Sequence, residues 1–135
     1  MAGNRHQFIL GLVIKKMRED GATISCVDGT YPGLFGEACP MPPTIIRHRP
    51  DAMGVKKNGQ ICIGEAKTEN DIMNTRTFEQ LRDFANLKLN GMKCDVYIGV
   101  PKSVEKTILK GLEKVGLHLF TNITILYVPD EIIND

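Results

Sequence analysis

The chain predicts an α/β fold: an αβββαβ core in which helices flank a mixed central sheet, extended by a further C-terminal helix and strand. Three observations predict it. Apolar residues recur at helical spacing near both ends of the chain. Short apolar runs bounded by glycine or proline lie between the helical segments, which is the signal of buried strands. Asn58-Gly59 sits between two such runs, a strong hairpin signal that places two adjacent strands in the middle of the chain.

Residues from about Arg5 to Asp20 read as the first helix, with Ile9, Leu10, Val13, Ile14 and Met17 as its apolar stripe and Gly21 as its terminator. Ala22 to Val27 reads as a strand. Asp28 to Thr44 reads as a long loop, rich in glycine and proline, and loops of that length in a compact domain are often functional. The hairpin strands follow, at about Ile45 to Val55 and Gln60 to Lys67. A helix is expected from Thr77 to Leu89, with Gly91 after its end. Thr77 and Gln80 fit a capping box there, Thr77 as N-cap and Gln80 reaching back. Cys94 to Val100 is a strand stopped by Pro101. Lys102 to Val115 is a helix, and Ile123 to Val128 a last strand stopped by Pro129.

At 135 residues the chain reads as one domain, 1–135, able to bury its own core. Its 42% hydrophobic and 24% charged residues exclude an intrinsically disordered chain. The net charge is only +1, so no global attraction to nucleic acid is evident. The tail from Pro129 carries three acids and no base, however, which leaves the remainder at +4. Cys26, Cys39, Cys62 and Cys94 form no C-x-x-C pair, and they read as reduced core residues of a cytoplasmic protein. A zinc site from Cys39 and His48 lacks tetrahedral ligand spacing. The apolar run Phe8 to Ile14 is too short to span a bilayer.

Chemistry concentrates in two places. Arg49-Pro50-Asp51 precedes the hairpin, and Glu65-Ala66-Lys67 closes its second strand. Side chains alternate along a strand, so Glu65 and Lys67 share a face with Ile61 and Ile63. A carboxylate and a lysine on a buried strand are expensive to desolvate unless they are paired or hold an ion. The hairpin register decides whether Asp51 joins them. A two-residue turn at Asn58-Gly59 pairs Lys57 with Gln60 and sets Asp51 opposite Ala66. A three-residue loop, Lys57-Asn58-Gly59 with Gly59 left-handed, pairs Lys56 with Gln60 and sets Asp51 opposite Glu65. The second register keeps Val55 with Ile61 and Met53 with Ile63, and it is the one expected.

Pro50-Asp51 with Glu65-Ala66-Lys67 resembles the motif of the PD-(D/E)XK nuclease superfamily, which has the restriction-endonuclease-like fold. The resemblance is strongest from Arg49 to about Phe84. Gln80 to Phe84 resembles the Q-x-x-x-Y helix motif of exonuclease-like members, with Phe84 in place of the tyrosine. The resemblance implies a Mg²⁺-dependent (or Mn²⁺-dependent) nuclease with DNA as the expected substrate and endonucleolytic cleavage as the expected mode. Asp51, Glu65, Lys67 and Gln80 would form the catalytic set, with Asp51, Glu65 and the Ala66 carbonyl on the metal. It also implies 5′-phosphate and 3′-hydroxyl products. Many members carry an acid on the first helix, for which Glu19 is the available residue. Glu37, on the long loop, is the competing fourth ligand.

Other residues stand in a plainer light. Arg47, His48, Arg49, Lys56 and Lys57 are candidates for nucleic-acid contact around the site, although His48 also reads as a solvated side chain beside a strand. His6 and His118 read as ordinary surface residues. Lys102, Lys106, Lys110 and Lys114 read as the solvated face of a helix. No separate recognition module is present; two-strand cleavage would need a homodimer, and a separate specificity subunit is the other expected partner. The apolar tail segment Tyr127 to Ile133 is a candidate oligomer contact. The alternative to an enzyme is a non-catalytic nucleic-acid-binding or protein-interaction module that keeps the fold.

Overall fold

The computed structural model of the protein describes residues 4–28, 40–72 and 74–133. Asn4–Glu19 forms helix α1, because Ile9, Leu10, Val13, Ile14 and Met17 repeat along one buried face. Gly21 ends it at φ 97°, and the Ala22 amide returns to the Met17 carbonyl at 3.0 Å. Strand β1 is Thr23–Val27, β2 is Ala52–Val55 and β3 is Ile61–Ala66. A short helix α2, Glu69–Ile72, leads into α3, Thr75–Asn86. A small hairpin of β4, Lys88–Leu89, and β5, Met92–Lys93, precedes β6, Asp95–Pro101. A turn of 3₁₀ helix at Lys102–Val104 opens α4, Glu105–Lys114, and β7, Ile123–Val128, is followed by α5, Asp130–Ile133.

The main sheet has the order β1-β2-β3-β6-β7. The first three strands are antiparallel neighbours, and β3-β6 and β6-β7 are parallel. The sheet is therefore mixed, and the predicted α/β class and αβββαβ core are present. Strands β3 and β6 lie at its centre, covered on both faces, which is why they read as unbroken apolar runs. On one face, α1 packs with Cys62, Ala66 and Tyr97. On the other, α3 and α4 pack over Ile63, Val96, Ile98 and Val100.

Helix α1 sits close against the sheet because Gly64 and Gly99 present no side chain to it. A Cβ on Gly64 would lie 2.8 Å from the Met17 sulfur, and one on Gly99 would lie 2.5 Å from a Val13 methyl.

Two predicted elements differ from the structure. The strand expected from Ile45 begins only at Ala52. Pro50 has no N–H to give a ladder, and residues 45–48 close on themselves instead, with Ile45 and His48 exchanging amide bonds of 2.7 and 3.0 Å. The helix expected from Thr77 to Leu89 starts two residues earlier and stops at Asn86. Its N-cap is Asn74, whose side chain accepts from the Arg76 amide at 2.9 Å. Thr77 is no cap: its hydroxyl donates to the Asp71 carbonyl at 2.7 Å. The stretch read as the helix end is the β4–β5 hairpin, turned by Asn90 and Gly91 at φ 55° and 77°, so a second Asn-Gly signal outweighs helical propensity there. The apolar tail is partly consumed within the chain, since Val128 and Ile133 join the core against α1 while Ile132 stays 53% exposed.

Candidate metal and catalytic site

The β2–β3 register is the expected one. Val55 pairs with Ile61 and Met53 with Ile63, and the Lys56 amide donates to the Gln60 carbonyl at 2.9 Å. Gly59 holds φ 88°, so the loop is Lys57-Asn58-Gly59. Continued by one residue, this register brings Asp51 beside Glu65. The Asp51 amide donates to Glu65 Oε2 at 2.7 Å, and the Ala66 amide donates to Asp51 Oδ2 at 2.9 Å. The two acids thus bridge the hairpin end reciprocally, each side chain accepting from the other strand's backbone.

Glu65 is 1% exposed, and its second oxygen, Oε1, has no hydrogen-bond partner. Lys67 Nζ stands 3.9 Å from that oxygen. Burial, and then the charge of Asp51, push the Glu65 carboxyl well above its ordinary value, which Lys67 only partly opposes. Gln80, on α3, accepts a hydrogen bond from Lys67 Nζ at 2.9 Å. The spacing that suggested a capping box instead points Gln80 at the site.

An unpaired buried carboxylate oxygen beside a second carboxylate fits a hard cation, which would supply the missing partner for Oε1. Among the described residues no group of three His, Cys, Asp or Glu side chains gathers as a ligand set. Two carboxylates remain, and Mg²⁺ characteristically takes one or two carboxylates and keeps several waters.

His6 is the residue that sequence reasoning missed. Its Nε2 lies 3.2 Å from Asp51 Oδ2, and that hydrogen bond, against the effect of burial, raises its pKa. It precedes Ile9 by one helical turn and so shares the buried face of α1, the one signal that could have singled it out. The reading of His6 as an ordinary surface residue is therefore corrected. Glu19 is not at the site. It is exposed near the C-terminal end of α1, about 20 Å along the helix from His6 at the α-helical rise of ~1.5 Å per residue. Glu37 lies outside the described residues.

The basic candidates separate as well. Lys56 and Lys57 belong to the turn, about 16 Å of strand from Asp51 at ~3.3 Å per residue, so they do not surround the site. Lys56 donates to Asp95 at 2.6 Å and lies over the Tyr97 ring, 5.5 Å from its centroid. His48 is buried, not solvated: Nε2 lies 2.8 Å from Asp83 Oδ2 and the ring meets Phe84 edge-on. Arg47 also donates to Asp83, at 3.0 Å. Arg49 is exposed, with a contact to the Met41 sulfur at 3.1 Å. His118 and the lysines at 102, 106, 110 and 114 are exposed, as expected. Cys62 and Cys94 are free and buried, and Cys26 is free and partly buried. No described helix is long and apolar enough to cross a membrane.

No family model matches the chain, and no curated protein does. A solved structure, the crystal structure of a repair endonuclease from Pyrococcus abyssi, aligns with 96% of this chain at 16% identity and a TM-score of 0.49. The alignment covers 48% of that protein, so this chain spans about half its length.

Proposed function

We propose that the protein is a Mg²⁺- or Mn²⁺-dependent nuclease that hydrolyses phosphodiester bonds, with DNA as its substrate and internal bonds as its target. One observation carries the reading: Asp51 and Glu65 meet across the hairpin with an unpaired, buried Glu65 oxygen and Lys67 beside it. The same residues carry the resemblance to PD-(D/E)XK nucleases.

Asp51, Glu65 and the Ala66 carbonyl would hold the ion. When bound, it supplies a water of lowered pKa and positive charge next to the scissile phosphate. Lys67 stands with its ammonium group toward Glu65 and fixed by Gln80, placed to orient the attacking water and to stabilise charge on the pentavalent phosphorus. Asp51 is held on two sides, by the Ala66 amide and by His6. Hydrolysis would form a P–O bond from water and break the P–O3′ bond, with a proton from the water ending on O3′ and the phosphate staying on O5′ of the following nucleotide.

The test is cleavage of circular and linear duplex, single strands, flaps, four-way junctions and RNA with Mg²⁺, Mn²⁺ or EDTA. Lys67→Ala is expected to lose about 10²–10³-fold in rate while still binding Mn²⁺ in calorimetry. Asp51→Asn is expected to lose the metal itself. A wild-type protein that neither cuts any substrate nor binds either ion would overturn the proposal.

A further inference from the structure

Helix α3 touches the site twice. Gln80 holds Lys67 from one side, and one turn further on Asp83 and Phe84 hold the chain segment that ends in Asp51. Positions i, i+3 and i+4 share a helix face, so Gln80, Asp83 and Phe84 act from the same side of α3. Asp83 Oδ2 meets His48 Nε2 at 2.8 Å and Arg47 Nε at 3.0 Å. The His48 ring stands edge-on to Phe84, with centroids 5.7 Å apart and planes at 74°. His48 is 5% exposed and lies three residues before Asp51. Residue 84 is a phenylalanine and offers no hydroxyl, so the polar tie at this turn of α3 comes from its neighbour Asp83.

We propose that His48 and Asp83 are positioning residues for Asp51: their buried hydrogen bond clasps the segment before β2 to α3 and so sets the place of the Asp51 carboxylate relative to Glu65 and Lys67. Asp51 precedes β2; its carbonyl accepts from the Asp28 amide at 2.7 Å and its carboxylate from the Ala66 amide at 2.9 Å. The segment from 45 to 50 is a self-closed turn ending in a proline, so it gains little from the sheet. The clasp gives it an anchor on the helix that also orients Lys67. Burial raises the Asp83 carboxyl, but the bonds from His48 and Arg47 outweigh it and hold the group below its ordinary value. Asp83 is therefore a charged acceptor, and charge-assisted bonds are roughly twice as strong as neutral ones.

The purpose assigned to the clasp rests on the nuclease reading, but the clasp itself is tested without metal or substrate. The Ala66 amide donates to Asp51 Oδ2, so its hydrogen exchange reports where that carboxylate is. In the metal-free protein, His48→Ala and Asp83→Ala are expected to speed exchange at Ala66 about tenfold relative to Val96, the scale of one lost hydrogen bond. The Val96 amide, bonded to Asn122 at 2.8 Å on the far side of the sheet centre, serves as the internal reference. His48→Gln keeps an Nε2–H donor and is expected to restore slow exchange. Asp83 is partly exposed on a helix, so Asp83→Ala reads out even if His48→Ala does not fold. Ala66 exchange that tracks Val96 in both alanine variants, or equal exchange in His48→Ala and His48→Gln, overturns the clasp.

In the active protein the two alanine variants are expected to need about tenfold more Mn²⁺ for half-maximal cleavage, with kcat recovered at saturating metal. A wild-type protein that neither cuts any substrate nor binds either ion, with alanine variants that still show the Ala66 response, would keep the clasp and remove the nuclease. Lys67-dependent cleavage without the Ala66 response would do the reverse.

Discussion

Glu65 carries the largest electrostatic tension among the site residues. Buried, and facing the charge of Asp51, its carboxyl prefers its proton in the fold more than in the unfolded chain. An acid whose folded pKa lies above its unfolded value binds more protons when folded, so stability falls as pH rises between the two values. The metal-free protein is therefore expected to gain stability as pH is lowered from its raised folded pKa toward the ordinary value of 4.5. Glu65→Gln, which keeps an oxygen for the Asp51 amide, is expected to melt above wild type at pH 8 in EDTA, the gap closing toward pH 4.5. A lower melting temperature for the variant at pH 8 would contradict the burial argument. For Gln80→Ala, a loss of about tenfold in cleavage rate is expected, because the Lys67 ammonium loses the group that holds it. Asp51, Glu65 and Lys67 were readable from residue type and strand alternation. His6 was not, because a histidine one turn before an apolar stripe looks the same whether it meets solvent or a carboxylate.

The site depends on how closely α1 approaches β3 and β6. Methyl groups of Val13 and Ile9 lie where a Cβ on Gly99 would be, at 2.5 and 2.8 Å. Gly99→Ala must push the helix or the strand aside, and a destabilisation of about 1–3 kcal/mol is expected from urea unfolding. Because α1 carries His6, the substitution is also expected to weaken Mn²⁺ binding. The hairpin illustrates how a local element can be decided before the structure is seen: apolar pairs on one face select the three-residue loop, since a slip of one position would turn Asp51 away from Glu65. Helix α3 shows the opposite. Its cap at Asn74 and its end at Asn86 differ from the expectation because Thr77 suits a cap and Leu87 to Leu89 suit a helix. Thr77 finds a partner in Asp71, a residue of α2 whose position the sequence did not predict.

The proposed ion would couple to the fold of the whole molecule. An ion that binds only the folded state adds about 2.7 kcal/mol at a hundred times its Kd. Wild type is therefore expected to melt several degrees higher with excess Mn²⁺, and Asp51→Asn to show no such rise. An equal rise in both would place the ion elsewhere. With a net charge of +1, the proposed nucleic-acid recognition would rest on local basic groups, of which Arg49 is exposed while Arg47 and Lys56 are already engaged with acids. Element order, the mixed sheet, the hairpin register and the Asp51–Glu65–Lys67 set were legible in the sequence, because strand alternation, turn chemistry and burial cost act over a few neighbouring residues. The approach of His6 to Asp51 and the burial of His48 on Asp83 were decided only by tertiary structure. They join residues 45 and 35 positions apart, and no local pattern says which polar side chains a folded sheet will bring into contact.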